Sequence, residues 1–361
     1  MEAGAATLAP ELTWFQWLRH ELEPTPGRGA MTLRIVITVV LVVIISEALQ
    51  VPEILLSAYM VLFVTKENKA ITTLMGVMCI LGTTFAIAVS ILIYCFTIDR
   101  PEVRVPVMAV VLFLGFYFCR VFKIGMVAFG IGFVLSASQS LVEIVPDPEL
   151  LVRVMLWLWV AMCYPIALTV VVNHLLVPKD AHPKPHPPMP RKRLFAADAL
   201  TNPEYVQYGF KVMLAAMTCY VIYTAVDWNG IHTAFITCCF ISLESLRATW
   251  HKGALRLAGC CVGGLLGFLS IVFLIPHMQS IVSLVFLVAA VTALAGWVAA
   301  GSERIAYCGL QIGLAFYMCV LQTFEPDTDF VKIRDRLVGI ILGIVVTTFV
   351  FRYLWPVYDK R

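Results

Sequence analysis

Apolar runs long enough to cross a hydrocarbon core of roughly 30 Å recur from residue 31 to the C-terminus, cut by charged or proline-marked breaks. Their lengths predict about twelve membrane spans, near 31–50, 53–65, 70–96, 105–120, 122–142, 150–177, 205–226, 229–245, 253–275, 278–300, 303–323 and 332–355. The second and eighth are short, so tilted, broken or re-entrant forms are open for them. The pattern therefore predicts an all-α polytopic membrane protein. Ahead of the first span, Trp14, Trp17 and Leu18 share one face of a short segment ending at Leu22. Two readings stay open there: a helix lying in the membrane interface, or a terminal helix packed on the body. No basic region leads into an apolar core with a small-residue cleavage site, so residues 1–30 are not expected to be a signal peptide.

Two halves of the pattern overlay with an offset of about 177 to 183 residues. Leu33-Arg34-Ile35 falls on Phe210-Lys211-Val212, Phe63-x-Thr65-x-Glu67 on Phe240-x-Ser242-x-Glu244, and the run Ala128 to Phe133 on Gly309 to Leu314. Arg153 falls on Arg334 and Pro178 on Pro356. Six spans per half is an even number, so both halves enter the membrane the same way and two parallel six-helix repeats are expected, with a path between them. The expected divisions are an interfacial segment at 1–30, a first repeat at 31–178, a Pro-rich basic linker at 179–204, a second repeat at 205–356 and a tail at 357–361. Sorting Lys and Arg by side puts about 20 with both termini and about 6 opposite, which predicts cytoplasmic termini.

Composition agrees: 60% of the 361 residues are hydrophobic, 14% are charged, and the mean hydropathy is +0.88. The 11 cysteines fall in the predicted spans without CxxC spacing, so neither zinc nor a disulfide framework is indicated. His182 and His186 stand four apart, but the prolines around them forbid the helix a metal pair needs. No GxxxxGK[ST] motif occurs, and no nucleophile–base constellation. Neither an enzyme, nor a cofactor, nor a nucleic-acid partner is expected.

The chemistry lies in polar residues within the apolar runs. At 100° per residue, Gly259, Gly263 and Gly267 fall within about 60° of Arg256 on one helix face. This doubled small-xxx-small pattern lets a neighbouring helix approach closely, and it turns Arg256 into protein. A cation there, near the positive end of a helix, suits an anionic substrate. The alternative is that Arg247, Lys252 and Arg256 only follow the cytoplasmic bias of positive charge. Arg34 and Lys211 hold matching places in the two halves, either flanking an anionic path or snorkelling to the interface. Gln311 sits near mid-span, free to bond a substrate or another helix. The stretch Asp327 to Arg336 carries Asp327, Asp329, Lys332, Arg334, Asp335 and Arg336 as an ion-pair network or a gate. Glu47, Glu67, Asp227, His232 and Glu244 are candidate proton carriers but form no clear relay.

Four motifs together resemble the fusaric acid resistance, or aromatic acid exporter, family, and look closest to its multidrug efflux permease branch. They are Trp17-Leu-Arg-His-Glu-Leu-x-Pro-x-Pro-Gly-Arg28, Thr249-x-His-Lys-x-x-Leu-Arg-Leu-x-Gly-x-x-x-Gly-Gly-x-x-Gly267, Gly301-Ser-Glu-Arg-Ile-Ala-Tyr-x-Gly-Leu-Gln-Ile-x-Leu-Ala-Phe316, and Asp327-x-Asp-Phe-x-x-x-Arg-Asp-Arg-x-x-Gly-Ile-x-Leu-Gly343. The resemblance implies an inner-membrane permease that exports aromatic carboxylates or related hydrophobic compounds. It also implies a periplasmic membrane-fusion adaptor and an outer-membrane channel as partners. Plant malate channels look distantly similar, and a passive anion channel or uniporter is the alternative function. Longer family members carry a large cytoplasmic domain after each six-helix block, for which residues 179–204 and the tail leave no room.

Overall fold

The computed structural model describes residues 14–122, 125–176, 195–196, 198–242, 246–278, 280–321 and 331–354. The side chains of residues 14, 15, 17, 18, 126, 246–248, 332 and 333 lie outside that description. So do Asp327, Asp329, Glu244, the linker residues His182 and His186, and the tail at 357–361; Arg247 and Lys332 are described by backbone only.

Among the described residues the chain is helical, apart from one bridge between Phe122 and Phe195. Its helices are α1 (Trp14–Leu22), α2 (Arg28–Leu49), α3 (Ile54–Val64), α4 (Lys69–Thr97), α5 (Pro101–Val121), α6 (Gly125–Gln139), α7 (Pro148–Leu176), α8 (Pro203–Ala225), α9 (Thr233–Ile241), α10 (Leu246–Leu269), α11 (Ile281–Ala299), α12 (Ala306–Val320) and α13 (Val331–Tyr353). Helices answer the demand of a bilayer that each backbone polar group be satisfied within its own segment. Their starts are written locally. Proline opens α5, α7 and α8, where its missing N–H costs nothing. Asn68 and Asn202 cap α4 and α8 by accepting from the N–H groups of Ala70 and Glu204, at 2.8 and 3.0 Å.

Among the described residues, eight helices are long and apolar enough to cross a membrane. They are α2, α4, α5, α7, α8, α10, α11 and α13, with α10 extended to His277 through a π-helical turn at Ser270–Leu274. The chain is a multi-pass, all-α membrane protein. Four apolar helices are shorter: α3, α6, α9 and α12. The apolar pattern predicts full spans near 122–142 and 303–323, yet α6 and α12 have 15 residues each, a rise of about 22 Å. Turn chemistry explains the shortening. Ser302 collects the N–H groups of Ile305 and Ala306 before α12 begins, and Leu141–Glu143 tightens into a 3-10 turn after α6.

Packing is reciprocal. Helix α2 lies on α11 while α5 lies on α8; α4 packs on α6 and α7 as α10 packs on α12 and α13; α3 meets α7 as α9 meets α13. The turns leaving α2 and α8 share a conformation, since Gln50 and Asp227 both have positive φ (52° and 53°). One core joins Ile35, Val39 and Val42 of α2 to Val288 of α11 and Phe316 of α12; another joins Met108 and Leu112 of α5 to Val212 and Ala215 of α8. Large apolar side chains such as Leu81, Phe96, Phe286 and Phe349 stay exposed on the long helices, the surface a bilayer covers.

The end of α1 is tied to the body. Arg28 is buried against the Trp297 ring and donates to the carbonyls of Trp297, Glu21 and Glu23 at 2.8, 2.9 and 2.8 Å, while the Trp297 indole donates to the Leu22 carbonyl at 3.0 Å.

Candidate functional site

The four short helices meet where polar chemistry and open space coincide. Helices α3, α6 and α9, with α4 and α7, surround an open cavity, about 670 Å³ when the solvent at its mouth is counted. Its walls are aromatic and thioether: Tyr59 and Phe63 of α3, Met75 and Met78 of α4, Phe129 and Phe133 of α6, Met162 of α7 and Phe240 of α9. Phe129 and Phe133 stack at 6.0 Å, and Phe240 meets both edge-on at 5.3 and 4.9 Å. Methionine supplies a wall that adapts to ring shape. None of the described lining side chains is charged. Cys79, also in the wall, lies within electrostatic reach of Lys66 in the α3–α4 turn, where burial lowers the ammonium below its ordinary range.

Behind Phe240 stands Arg256. Its guanidinium carbon is 5.9 Å from the ring centroid, on a side chain only 2% exposed. Nε donates to the Thr237 hydroxyl of α9, and Nη1 to the Tyr307 hydroxyl and the Gln311 carbonyl oxygen of α12, each at 3.1 Å. All three acceptors are neutral, and among the described residues no carboxylate pairs with Arg256. Lys252, one turn earlier, lies 5.0 Å over the Tyr307 ring. A buried guanidinium held by neutral groups keeps its charge uncancelled, which suits the approach of an anion.

Gly259, Gly263 and Gly267 make this placement possible by letting α10 lie directly on α12. A Cβ on Gly259 would sit 2.6 Å from the Cys308 carbonyl oxygen, and one on Gly263 would collide with the Ile312 carbonyl. Arg256 and Gln311 thus come together through the glycine face.

Arg34 and Lys211 are not brought together. Arg34 is buried by α7 and the α3–α4 turn, donating to the Asn173 side chain, to the Glu67 carbonyl at 3.2 Å and to the Ala30 carbonyl at 3.3 Å. Lys211 is buried on α8, its ammonium 5.6 Å over the Phe351 ring of α13. At the start of α13, Arg334 holds Asp335 at 2.8 Å and reaches over the Trp228 ring, while the Asp335 carboxylate lies against Gly230. Arg336 points elsewhere, toward Met318.

One group escaped the sequence reading. Arg104 of α5, 4% exposed, pairs at 2.6 Å with Glu143 after α6, and Tyr220 of α8 donates to the same carboxylate oxygen at 2.8 Å. No motif joins these residues; the only signal is an arginine and a glutamate at the ends of adjoining spans. Glu143→Gln is expected to lower stability by about 1–3 kcal/mol, because it leaves the Arg104 charge buried with a weaker acceptor that is itself part-exposed. Thermal unfolding of the purified protein checks this, and an unchanged midpoint contradicts it.

Residues 216–350 match the family described as fusaric acid resistance protein-like. The multidrug resistance protein MdtO of Escherichia coli K12 is 23% identical over 98% of this chain and 73% of its own, as is that of Escherichia coli O6:H1. The family match thus covers part of the chain, residues 216–350. MdtO of Shigella flexneri is 38% identical over 48% of the chain and 26% of its own length. The K12 alignment runs over 498 positions against 361 residues here, so that relative carries inserted segments. No solved structure matches the chain. The matched region contains Thr237, Arg256, Tyr307, Gln311 and Arg336.

Proposed function

We propose that the chain is an inner-membrane efflux permease for aromatic compounds bearing a carboxylate, working with a periplasmic adaptor and an outer-membrane channel. One observation carries the reading: an aromatic and methionine-lined cavity shares the Phe240 ring with a buried guanidinium that no described carboxylate pairs. The ring of a substrate occupies the cavity, and its carboxylate is drawn toward Arg256 past Phe240. That the similar MdtO proteins are named for multidrug resistance supports export as the direction.

Two parallel six-helix repeats, α2–α7 and α8–α13, complete the proposal, with both termini cytoplasmic. Reciprocal packing and the matched left-handed turns support them. Short apolar helices at corresponding places in two halves are a pointer to a transporter's binding region, and α3, α9, α6 and α12 are such a set. At the repeat offset of about 177 residues, Cys79 stands where Arg256 stands. The first half is thereby apolar at the place where the second is cationic, a division that suits an amphiphilic substrate.

The test is accumulation of a labelled hydroxybenzoate in cells with and without the protein, repeated with an uncoupler. Lower accumulation that collapses with the uncoupler is the expected result. A protein-dependent flux indifferent to the uncoupler favours the passive channel, a reading that the uncancelled charges of Arg256 and Arg336 also accommodate.

A further inference from the structure

Arg336 on α13 is a second buried guanidinium. Tyr59 and Tyr307 lie within electrostatic reach of both Arg256 and Arg336. Arg336 is 7% exposed; its Nη1 donates to the Met318 sulfur, while Nε and Nη2 meet no acceptor among the described residues. It lines a small cavity with Cys260 and Gly264 of α10 and Ala315, Met318 and Cys319 of α12. The neighbouring carboxylate, Asp335, is engaged by Arg334 and lies against Gly230. Arg336 is thus a buried charge with unpaired N–H donors, at the wall of a space that no described acidic side chain lines.

Size decides which anion fits. The centre of a water-sized occupant has about 20 Å³ to move in, room for a single such sphere. A benzoate ring does not fit there. The corresponding freedom in the aromatic cavity is about 80 Å³.

We propose that the cavity between α10, α12 and α13 binds one halide-sized inorganic anion, chloride in the cell, held by the Arg336 guanidinium. Such an ion cancels the Arg336 charge and leaves Arg256 to the organic substrate. The proposal is independent of which compound is exported.

The test uses the purified full chain in detergent, exchanged into gluconate and titrated with chloride or bromide at constant ionic strength, with unfolding followed by tryptophan fluorescence. A saturable rise of about 2–4 °C in the unfolding midpoint is expected, and Arg336→Gln should abolish it. A midpoint equal in chloride and gluconate overturns the proposal, as does an Arg336→Gln protein that responds like the native one. Sodium benzoate is titrated in parallel. Competition between benzoate and chloride would assign Arg336 to the organic substrate and overturn the inorganic site. Because Arg336→Gln could fail to fold, bromide is also located by anomalous scattering in crystals of the native chain. Bromide beside Arg336 supports the site, and bromide found only elsewhere refutes it.

Discussion

Gly263→Val is expected to remove most of the folded protein. A Cβ at Gly263 collides with the backbone carbonyl of Ile312 and stands 2.9 Å from the Ala315 methyl. A backbone carbonyl inside a helix cannot swing aside as a flexible side chain does. Relief therefore requires α10 and α12 to separate along the face that also carries Gly259 and Gly267. In lipid no hydrophobic force restores such a contact, because helix association there rests on close packing. The cost should reach or exceed the upper end of overpacking penalties, about 3 kcal/mol, a large fraction of a typical total stability. Separation would also carry Gln311 and Tyr307 away from Arg256. Monodisperse yield after detergent extraction and the unfolding midpoint measure this. Gly130→Ala is the control, since a Cβ there meets nothing within 4 Å. A valine variant recovered at native yield with a native midpoint would show that α10 and α12 do not pack this closely.

Arg256→Met is expected to fold and to lose export of aromatic carboxylates. Replacing a buried charge by an apolar side chain of similar length removes a desolvation cost, so stability should be retained or improved. Thr237, Tyr307 and Gln311 lose a donor, but each is neutral, and Thr237 still donates to the Thr233 carbonyl at 2.7 Å. Transport should fall by roughly 10- to 100-fold, the equivalent of one charge-assisted hydrogen bond of about 1.5–3 kcal/mol. Arg256→Lys should rescue only part of that loss, because a point ammonium cannot present two nitrogens to three acceptors on two helices. Cellular accumulation of a labelled hydroxybenzoate, normalised to membrane-inserted protein, gives the comparison. Export of the corresponding uncharged phenol or ester should persist, since the cavity wall is uncharged. Native export of the carboxylate by the methionine variant would remove Arg256 from the substrate path.

How much could be read in the chain differs from residue to residue. The joint face of Arg256, Gly259, Gly263 and Gly267 follows from spacing, because the backbone alone sets 3.6 residues per turn. That α12 receives this face does not follow from spacing, nor that Gln311 and Tyr307 are the groups Arg256 meets. Arg34 and Lys211 occupy matching places in sequence, but different helices bury them. The aromatic cavity left no trace in any one segment, since its walls come from five helices and each aromatic reads singly as an ordinary apolar residue. The shortness of α6 and α12 was hidden for a local reason, because hydropathy counts apolar residues in a turn as it counts them in a helix.

The sequence by itself determined the material of the fold: apolar segments long enough to cross a membrane, the proline and asparagine signals that open several of them, and the face of α10 that must be buried. These are local properties, set by side-chain transfer energy and helical period. Tertiary structure alone decided that Glu143 pairs with Arg104 and Tyr220, that Phe240 stands between the cavity and Arg256, and that Arg336 is buried without an ion-pair partner among the described residues. Those outcomes depend on how closely helices distant in the chain approach one another, and side-chain volume and hydrogen bonding settle that only once all the helices are packed together.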